Sequence, residues 1–242
     1  MSPLRIAVLL AITTGLTACG ETARLQVTDG SGPAPQLPQP NKTLIPTVNI
    51  APAVGWPDGA KPVAAPGTQV AAFASGLDHP RWLYVLPNGD VLVAETNAPE
   101  KPEDGKGIKG WIMQKVMAKA GAGVPSANRI TLLRDADHDG VAETRTVFLS
   151  GLNSPFGMAL VGNDFYVADT DRLLRFSYHS GAMAIDGPGH PVADLPGGPL
   201  NHHWTKNVIA SADGKKLYVT VGSNSNVAEN GMDKEQGRAA IW

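Results

Sequence analysis

The sequence predicts an all-β protein, specifically a β-propeller of which this chain contains about three blades. Three segments share one design, in which an apolar strand and a tight turn precede a second strand rich in valine and tyrosine: 79–97, 154–172 and 204–226. Their turns are built on Asn-Gly, Asn-Asp or Asp-Gly, which accept positive φ and favour β-hairpins. A β-sandwich is the alternative fold, but it would not need the same hairpin three times.

The chain begins with the features of an export signal. Arg5 precedes an apolar run from Ile6 to Ile12, and small residues lead to Cys19; the stretch is too short to span a membrane. Cys19 is the only cysteine in the chain, and "LTAC" followed by glycine resembles a bacterial lipoprotein signal. Residues 1–19 are therefore predicted to be a lipoprotein signal, with Cys19 as the lipidation site. An ordinary cleaved signal is the alternative.

This signal predicts an exported protein, located in the periplasm or at the outer membrane or cell surface. Residues 20–67 are predicted to form a tether, because nine prolines lie between Ser31 and Pro66 without apolar periodicity. The end of this segment alternatively lies along the domain as an irregular arm. The folded domain is predicted to span 68–242. At roughly 45–60 residues a blade, we expect the N-terminal part of a longer propeller or a truncated one.

The sequence also predicts the outer strands of two blades. "RITLLRD" (129–135) pairs with "ETRTVFLSG" (143–151), and "RLLRFSYH" (172–179) pairs with "HPVADL" (190–195). A short helical insertion is predicted near 108–120, where apolar residues recur at helical spacing among lysines. We expect this helix to pack on the propeller, and a membrane-surface or lid role is the alternative.

Polar residues are predicted to converge at one mouth of the propeller. Asp78, Asn153 and His203 occupy matching positions before the first strand of each repeat, and first strands of blades begin at the same face. The loops after the second strands return to that face with further acids, amides and a serine: Glu95, Asn97, Asp169, Asp171, Ser223, Asn224 and Asn226. Such a ring suits a sugar-sized polar ligand. The alternative is that turn residues are simply polar.

His202 and His203 stand side by side in "GGPLNHHWTKN". Neighbouring side chains on a strand point to opposite faces, and no cysteine or third histidine lies near in sequence, so a metal pair is disfavoured. His203 is expected to face the mouth, and His202 is expected to be a neighbour or a support.

The segment "DADHDGVAE" (135–143) predicts a calcium loop. Alternating aspartates before a glycine resemble the start of an EF-hand, but Thr146 stands where the closing acid would be. We expect Glu143 and the carbonyl of Val141 to close a structural site with the aspartates: Asp135, Asp137 and Asp139. The alternative is that these residues only form a hairpin turn.

The charge of the chain excludes one class of partner. Twenty lysines and arginines oppose 22 aspartates and glutamates, for a formal net charge of −2. There is no basic footprint for nucleic acid, so the function must be inferred from local sites.

Long stretches resemble the glucose/sorbosone dehydrogenase family, and the L-sorbosone dehydrogenase-like branch in particular. They are "HPRWLYVLPNGDVLVAETN", "RDADHDGVAETRTVFLSGLNSPFGMAL" and "HHWTKNVIASADGKKLYVTVGSNSNVAE". The resemblance runs from about Val70 to Trp242 and includes the insertion. It implies an exported six-bladed propeller that oxidises an aldose or aldehyde sugar with pyrroloquinoline quinone (PQQ) and Ca²⁺.

The resemblance also implies residue roles. His203 would be the general base that accepts the proton of the sugar C1 hydroxyl, while hydride passes from C1 to the quinone. Asn224 falls where an amide contacts substrate, and His202 replaces an acid that orients the base in the soluble glucose enzymes. From their predicted places at the mouth, Asn153, Asp78 and His202 are expected to bind substrate as well. The residues that hold PQQ are expected in later blades, beyond this chain.

Two other functions stay open from the sequence. One is a non-catalytic propeller with a binding role, which a truncated chain would fill. The other is a metal-dependent lactonase, in which Glu95, Asn153 and Asn224 would converge on an axial metal.

Overall fold

The structure is a computed structural model that describes residues 26–35, 50–99 and 107–242. The chain divides into two units, Met1–Ala51 and Pro52–Trp242. The first unit contains a 3-10 turn at Val27–Gly30 among its described residues. The predicted signal and Cys19 lie outside the described residues, so export, lipidation and the boundaries of the tether stay predictions.

The second unit is mostly β, with three antiparallel sheets. Sheet 1 has the strands β1 (Pro80–Val85), β2 (Val91–Glu95), β3 (Arg129–Arg134) and β4 (Thr144–Leu149), in this order. Sheet 2 has β5 (Met158–Val161), β6 (Asp164–Ala168), β7 (Arg172–Ser177) and β8 (His190–Asp194), again in order. Sheet 3 has β9 (Val208–Ala210), β10 (Leu217–Val221) and β11 (Ala240–Ile241). The three predicted hairpins and both predicted pairs of outer strands are confirmed.

Local turn chemistry explains why the first hairpin forms. At its tip, the Gly89 amide donates to the Leu86 carbonyl at 2.9 Å, with Gly89 at a φ of +91° that side chains other than glycine rarely adopt. The buried Asp90 carboxylate accepts from Asn88 and from Arg134 on β3. The turn is therefore joined to the third strand of its own sheet.

Apolar faces of adjacent sheets form the core. Between sheets 1 and 2, Phe165 packs edge-on against Phe148 with ring centres 5.5 Å apart, and both rings are buried. Between sheets 2 and 3, the smaller residues Val208 and Val219 pack against Leu173. The middle sheet thus buries apolar side chains on both of its faces, one against each neighbouring sheet.

One end of the three sheets is shared, and we call it the mouth end. It is defined by the starts of β1, β5 and β9. Hydrogen bonds join the sheets there: the Ser154 amide donates to Asn128 Oδ1 at 2.9 Å, and the Gly157 amide donates to the Lys206 carbonyl at 3.0 Å. A Cβ on Gly157 would lie 2.4 Å from the Val208 amide nitrogen, so glycine permits this close approach.

The predicted insertion is confirmed as a helix, α1 (Gly107–Ala118). The expectation that it packs on the propeller is wrong for most of its apolar side chains, because Ile108, Trp111 and Ile112 are at least half exposed. Its C-terminal end instead bonds to an upstream segment, where the Ala53 amide donates to the Lys119 carbonyl at 2.7 Å. Within the described residues, none of the helices is long and apolar enough to cross a bilayer.

Candidate functional site

At the mouth end of sheet 1, two predicted ring residues are joined to an arginine. Glu95 is 1% exposed and accepts two hydrogen bonds from Arg129, one from Thr131 and one from the Asp78 amide. Burial opposes ionisation of Glu95, but these hydrogen bonds outweigh it and hold the pKa of the carboxyl below its usual value. The Asp78 carboxylate bonds the same arginine at 2.6 Å. Glu95 therefore has a structural role inside the sheet.

Sheet 2 repeats this arrangement with one change. The backbone N–H of Asn153 donates to Asp169 Oδ2 at 3.0 Å, as the backbone N–H of Asp78 does to Glu95. In both sheets the next residue has a positive φ, 51° at His79 and 47° at Ser154, which confirms that the two bends match. However, Arg172, which opens β7 as Arg129 opens β3, bonds Asp171 instead of Asp169.

Asp169 is consequently a buried carboxyl without an ionic partner among the described residues. It is 1% exposed, and its Oδ1 has no hydrogen-bond partner in the described part of the chain. Burial raises the pKa of Asp169 to about 7, against the stabilising Asn153 amide, and the charge of Asp171 adds to the rise.

We expect Asp169→Asn to flatten the pH dependence of stability. The pKa of about 7 in the folded state exceeds the usual 3.8, so the folded state binds this proton more tightly. The contribution of Asp169 to the free energy of unfolding therefore falls as the pH rises from about 4 to about 7, by at most about 4 kcal/mol in total, and stays low at higher pH. Urea unfolding of both proteins at pH 5 and pH 8 measures the difference. Asp164→Asn on the exposed part of the same sheet is the control; an unchanged difference between the two pH values in Asp169→Asn contradicts the expectation.

The two histidines lie in a bend, not on a strand as expected, because β9 begins only at Val208. Both are exposed at the mouth end. His203 Nδ1 lies 2.9 Å from the Ser223 carbonyl oxygen. Since a carbonyl only accepts, Nδ1 carries the hydrogen of the neutral ring, and Nε2 keeps its basic lone pair.

Gly222 makes this position of His203 possible. A Cβ at residue 222 would lie 2.5 Å from the His203 Cβ and 2.7 Å from its carbonyl oxygen. Only a residue without a side chain lets the loop after β10 approach the histidine so closely. A glycine after a valine-rich strand is a weak signal, and sequence reasoning missed it.

The other ring residues of sheets 1 and 3 are satisfied locally. Asn97 donates to the Val124 carbonyl, and the Ser223 hydroxyl donates to the Ser225 carbonyl. The Asn226 amide donates to Glu229 at 3.0 Å. They shape the loops of the mouth end.

Asn224 differs from these residues. It is 6% exposed, and its backbone N–H donates to the Glu235 carboxylate at 2.8 Å. The side-chain oxygen Oδ1 lacks a hydrogen-bond partner among the described residues. A buried amide oxygen with free acceptor capacity can receive a ligand hydroxyl or amide.

Aromatic side chains that the sequence reasoning missed connect the three sheets at the mouth end. The ring centres of Trp82 and Phe156 are 5.0 Å apart, and those of Phe156 and Trp204 are 6.3 Å apart with perpendicular planes. Trp204 directly follows His203 and is 6% exposed. The candidate base His203 therefore directly precedes the last residue of a row of three packed aromatic side chains.

A buried polar network fixes the backbone next to His203. The Trp204 carbonyl accepts from the Thr170 hydroxyl at 3.1 Å and from Lys206 Nζ at 3.2 Å. Lys206 is fully buried; burial lowers its pKa to about 8, and repulsion from Arg238 adds to this. Asn201 links Thr170 to Arg238 by bonds of 2.7 and 3.0 Å. This network anchors the histidine segment to sheet 2.

The predicted calcium residues come together in the loop between β3 and β4. One ligand oxygen from each of its four acids lies within 4.8 Å of the others: Asp135, Asp137, Asp139 and Glu143. Oxygens that each lie about 2.4 Å from one Ca²⁺ are separated by at most about 4.8 Å, so the geometry fits this ion. β3 begins at the mouth end and runs away from it, so the loop lies at the opposite end of sheet 1. The position of the Val141 carbonyl as a ligand stays a prediction.

The family model described as TrAA12-like matches residues 62–242. The chain belongs to the TrAA12-like family. This confirms the resemblance to PQQ-dependent sugar dehydrogenases that the sequence carries. No curated protein matches the sequence significantly.

Solved structures share the fold of this TrAA12-like chain. An iodide structure of the Trichoderma reesei Carbohydrate-Active Enzymes Family AA12 protein superposes with a TM-score of 0.52 at 18% identity, over 74% of this chain and 39% of that one. The holo form of the pyranose dehydrogenase PQQ domain from Coprinopsis cinerea gives 0.50 at 19% identity, over 73% and 36%. A calcium structure of the Trichoderma protein gives 0.51 at 18%, over 74% and 38%.

The chain thus spans less than two fifths of the length of these neighbours. At such identities the likeness supports a propeller-like fold for this family member. The number of blades stays a prediction.

Proposed function

We propose that this TrAA12-like protein is a PQQ-dependent oxidoreductase that oxidises an aldose or aldehyde sugar, with His203 as the general base. The observation that carries the proposal is the contact of His203 Nδ1 with the Ser223 carbonyl at 2.9 Å. It leaves Nε2 unprotonated and exposed at the mouth end. A general base must present such a lone pair to the hydroxyl it deprotonates.

In the proposed reaction, His203 Nε2 accepts the proton of the sugar C1 hydroxyl. A neutral imidazole suits this step because its free ring nitrogen can accept the proton and hold it as the imidazolium. The close approach of Gly222 and the bond to Ser223 hold the ring, so the proton is received at a defined atom. PQQ, when bound, supplies the electron acceptor that takes up hydride from C1.

The residues of the mouth end fit a planar cofactor. Trp82 presents a flat apolar ring at this end, packed against Phe156, which in turn contacts the buried Trp204 beside His203. The exposed fraction of Trp82 is 38%, so this ring is accessible for stacking. A quinone that is flat and aromatic matches such a surface.

For the sugar, we propose contacts from the predicted ring residues. The free Oδ1 of Asn224 would accept a hydroxyl hydrogen, while Asn153 and His202 would line the same opening. The Asp78 carboxylate bonds Arg129, but the side chain is largely exposed. Asp78 would therefore bind the sugar through the lone pairs of its carboxylate that Arg129 does not use.

The purified protein, supplied with PQQ and Ca²⁺, tests this function. We expect reduction of an electron-accepting dye that depends on both PQQ and sugar, across a panel of aldoses and sorbosone. Dye reduction without added sugar or PQQ is the background. No sugar-dependent reduction over the whole panel would refute the proposal, and PQQ binding without turnover would favour the non-catalytic binding role.

The geometry of Glu95 argues against the lactonase alternative. It needs Glu95 as a metal ligand, yet both oxygens of Glu95 accept hydrogen bonds from Arg129, and Thr131 and the Asp78 amide add two more. A carboxylate that is 1% exposed and saturated in this way has no free position for an axial metal.

We also propose that the β3–β4 loop binds Ca²⁺ as a structural ion. Adding Ca²⁺ at about one hundred times its Kd is expected to raise the melting temperature by roughly 5–10 °C. A thermal melt in Ca²⁺ and in chelator measures this shift. Asp137→Asn is expected to abolish it, because one charged ligand is lost, whereas the exposed Asp233→Asn is the matched control. An equal shift in all three proteins would contradict a site in this loop.

Export and membrane attachment complete the proposal. We propose that the protein is a lipoprotein anchored through Cys19 in the periplasm or at the cell surface, on the signal features of residues 1–19. Loss of membrane association in Cys19→Ala, measured by cell fractionation, is the corresponding test.

A further inference from the structure

Arg81 is an exposed arginine at the second position of β1. Its guanidinium lies over the Trp204 ring, 5.4 Å from the ring centre. In the described part of the chain it has no hydrogen-bond or ion-pair partner. The other described arginines each bond a carboxylate, an amide or a backbone carbonyl: Arg129, Arg134, Arg145, Arg172, Arg175 and Arg238.

We propose that Arg81, backed by Trp204, is a binding site for a carboxylate group of a ligand at the mouth. Stacking uses the face of a guanidinium and leaves its N–H groups free in the plane. Two parallel N–H groups match the two oxygens of a carboxylate. Because Trp204 directly follows His203 in the chain, we expect the molecule that carries this carboxylate to reach the proposed base as well.

The support of Trp204 strengthens this assignment. Its carbonyl is held by the Thr170 hydroxyl and by Lys206 Nζ, at 3.1 and 3.2 Å. Lys206 is fully buried, and no carboxylate of the described residues lies within ion-pair distance of it. Two cations without a carboxylate partner therefore flank one tryptophan, and the field between them favours an anion.

The carboxylate has two possible sources, and the site rests on the proposed function in both. PQQ is a tricarboxylate, so Arg81 can anchor the cofactor. A sugar acid such as a uronate carries one carboxylate, so Arg81 can instead determine substrate class. The shared chemistry is a carboxylate beside an aromatic face.

Arg81→Gln and Arg81→Lys test the site, with Arg175→Gln as the matched control. Arg175 is 47% exposed on β7, and within the described residues its carboxylate contact is a weak one of 3.8 Å. PQQ binding is measured by quenching of tryptophan fluorescence, which needs no turnover. The ratio of kcat/KM for D-glucuronate over D-glucose is measured with PQQ present.

If PQQ supplies the carboxylate, Arg81→Gln raises its Kd by about 10- to 100-fold and leaves the glucuronate-to-glucose ratio unchanged. If the sugar supplies it, the ratio falls by a similar factor while the Kd for PQQ is unchanged. Arg81→Lys, which keeps the charge but loses the fork of donors, gives a smaller loss. Arg175→Gln changes neither quantity.

The proposal is overturned if Arg81→Gln changes neither quantity, or if the unsubstituted protein binds neither PQQ nor glucuronate. Its failure can be told from failure of the proposed function. If the unsubstituted protein oxidises no sugar but Arg81→Gln still weakens PQQ binding, the carboxylate site is supported and the proposed sugar oxidation is refuted.

Discussion

Replacing His203 with alanine is expected to lower kcat/KM for the sugar by about 10²- to 10⁴-fold. The substitution removes Nε2, the atom that we propose receives the C1 hydroxyl proton, and no other imidazole is held in the same way beside Ser223. Dye-linked oxidation of the best aldose, measured in the presence of saturating PQQ, determines the loss.

A chemical role for His203 must be separated from a structural one. The side chain is exposed, so His203→Ala is expected to retain the melting temperature and the PQQ affinity of the unsubstituted protein. His202→Ala changes the neighbouring exposed histidine and is expected to cause a much smaller loss. If both alanine variants lost equal activity, or if His203→Ala kept most of it, His203 would not be the base.

Replacing Phe165 with alanine is expected to lower the free energy of unfolding by about 3–5 kcal/mol. Phe165 has no exposed surface, and its ring contacts Phe148 and Tyr84 of sheet 1 edge-on, at 5.5 and 6.2 Å between ring centres. The change leaves a cavity in the layer that holds sheets 1 and 2 together. Urea unfolding monitored by circular dichroism measures the loss.

The control for Phe165 is an aromatic residue on a strand that does not lie in this layer. Tyr218 on β10 is 40% exposed, and Tyr218→Ala is expected to cost below about 1 kcal/mol. Phe165→Leu keeps much of the buried volume and is expected to recover part of the loss. Similar losses in Phe165→Ala and Tyr218→Ala would show that the packing between sheets 1 and 2 is not the main source of stability.

The hairpins were predictable from sequence because their causes are local. Gly89 and its neighbours specify a turn within four residues, and the segments on either side are rich in apolar and β-branched or aromatic residues. The acids of the β3–β4 loop likewise lie within nine residues, so their meeting could be read from spacing. The bend at His202 was missed because sequence pattern alone does not locate the start of a strand such as β9.

Partners far apart in sequence were not predictable in the same way. Glu95 looked like a ring ligand, yet it bonds Arg129, 34 residues away. Asp169 looked equivalent to Glu95, yet Arg172 bonds Asp171 instead, and the buried carboxyl of Asp169 has a raised pKa. A difference of one side-chain direction decided whether the same position is a structural ion pair or a titrating group.

The sequence by itself determined the three hairpins and the family, because repeated hairpins and long motifs are encoded locally; His203 as the base stays a prediction. Only the tertiary structure decided how His203 is held and which cation beside it lacks a partner. Gly222 approaches His203 from the loop after β10, and Arg81 reaches Trp204 from β1 of another sheet. The physical reason is that tautomer, burial and charge compensation depend on neighbours in space, which the packing of the sheets brings together.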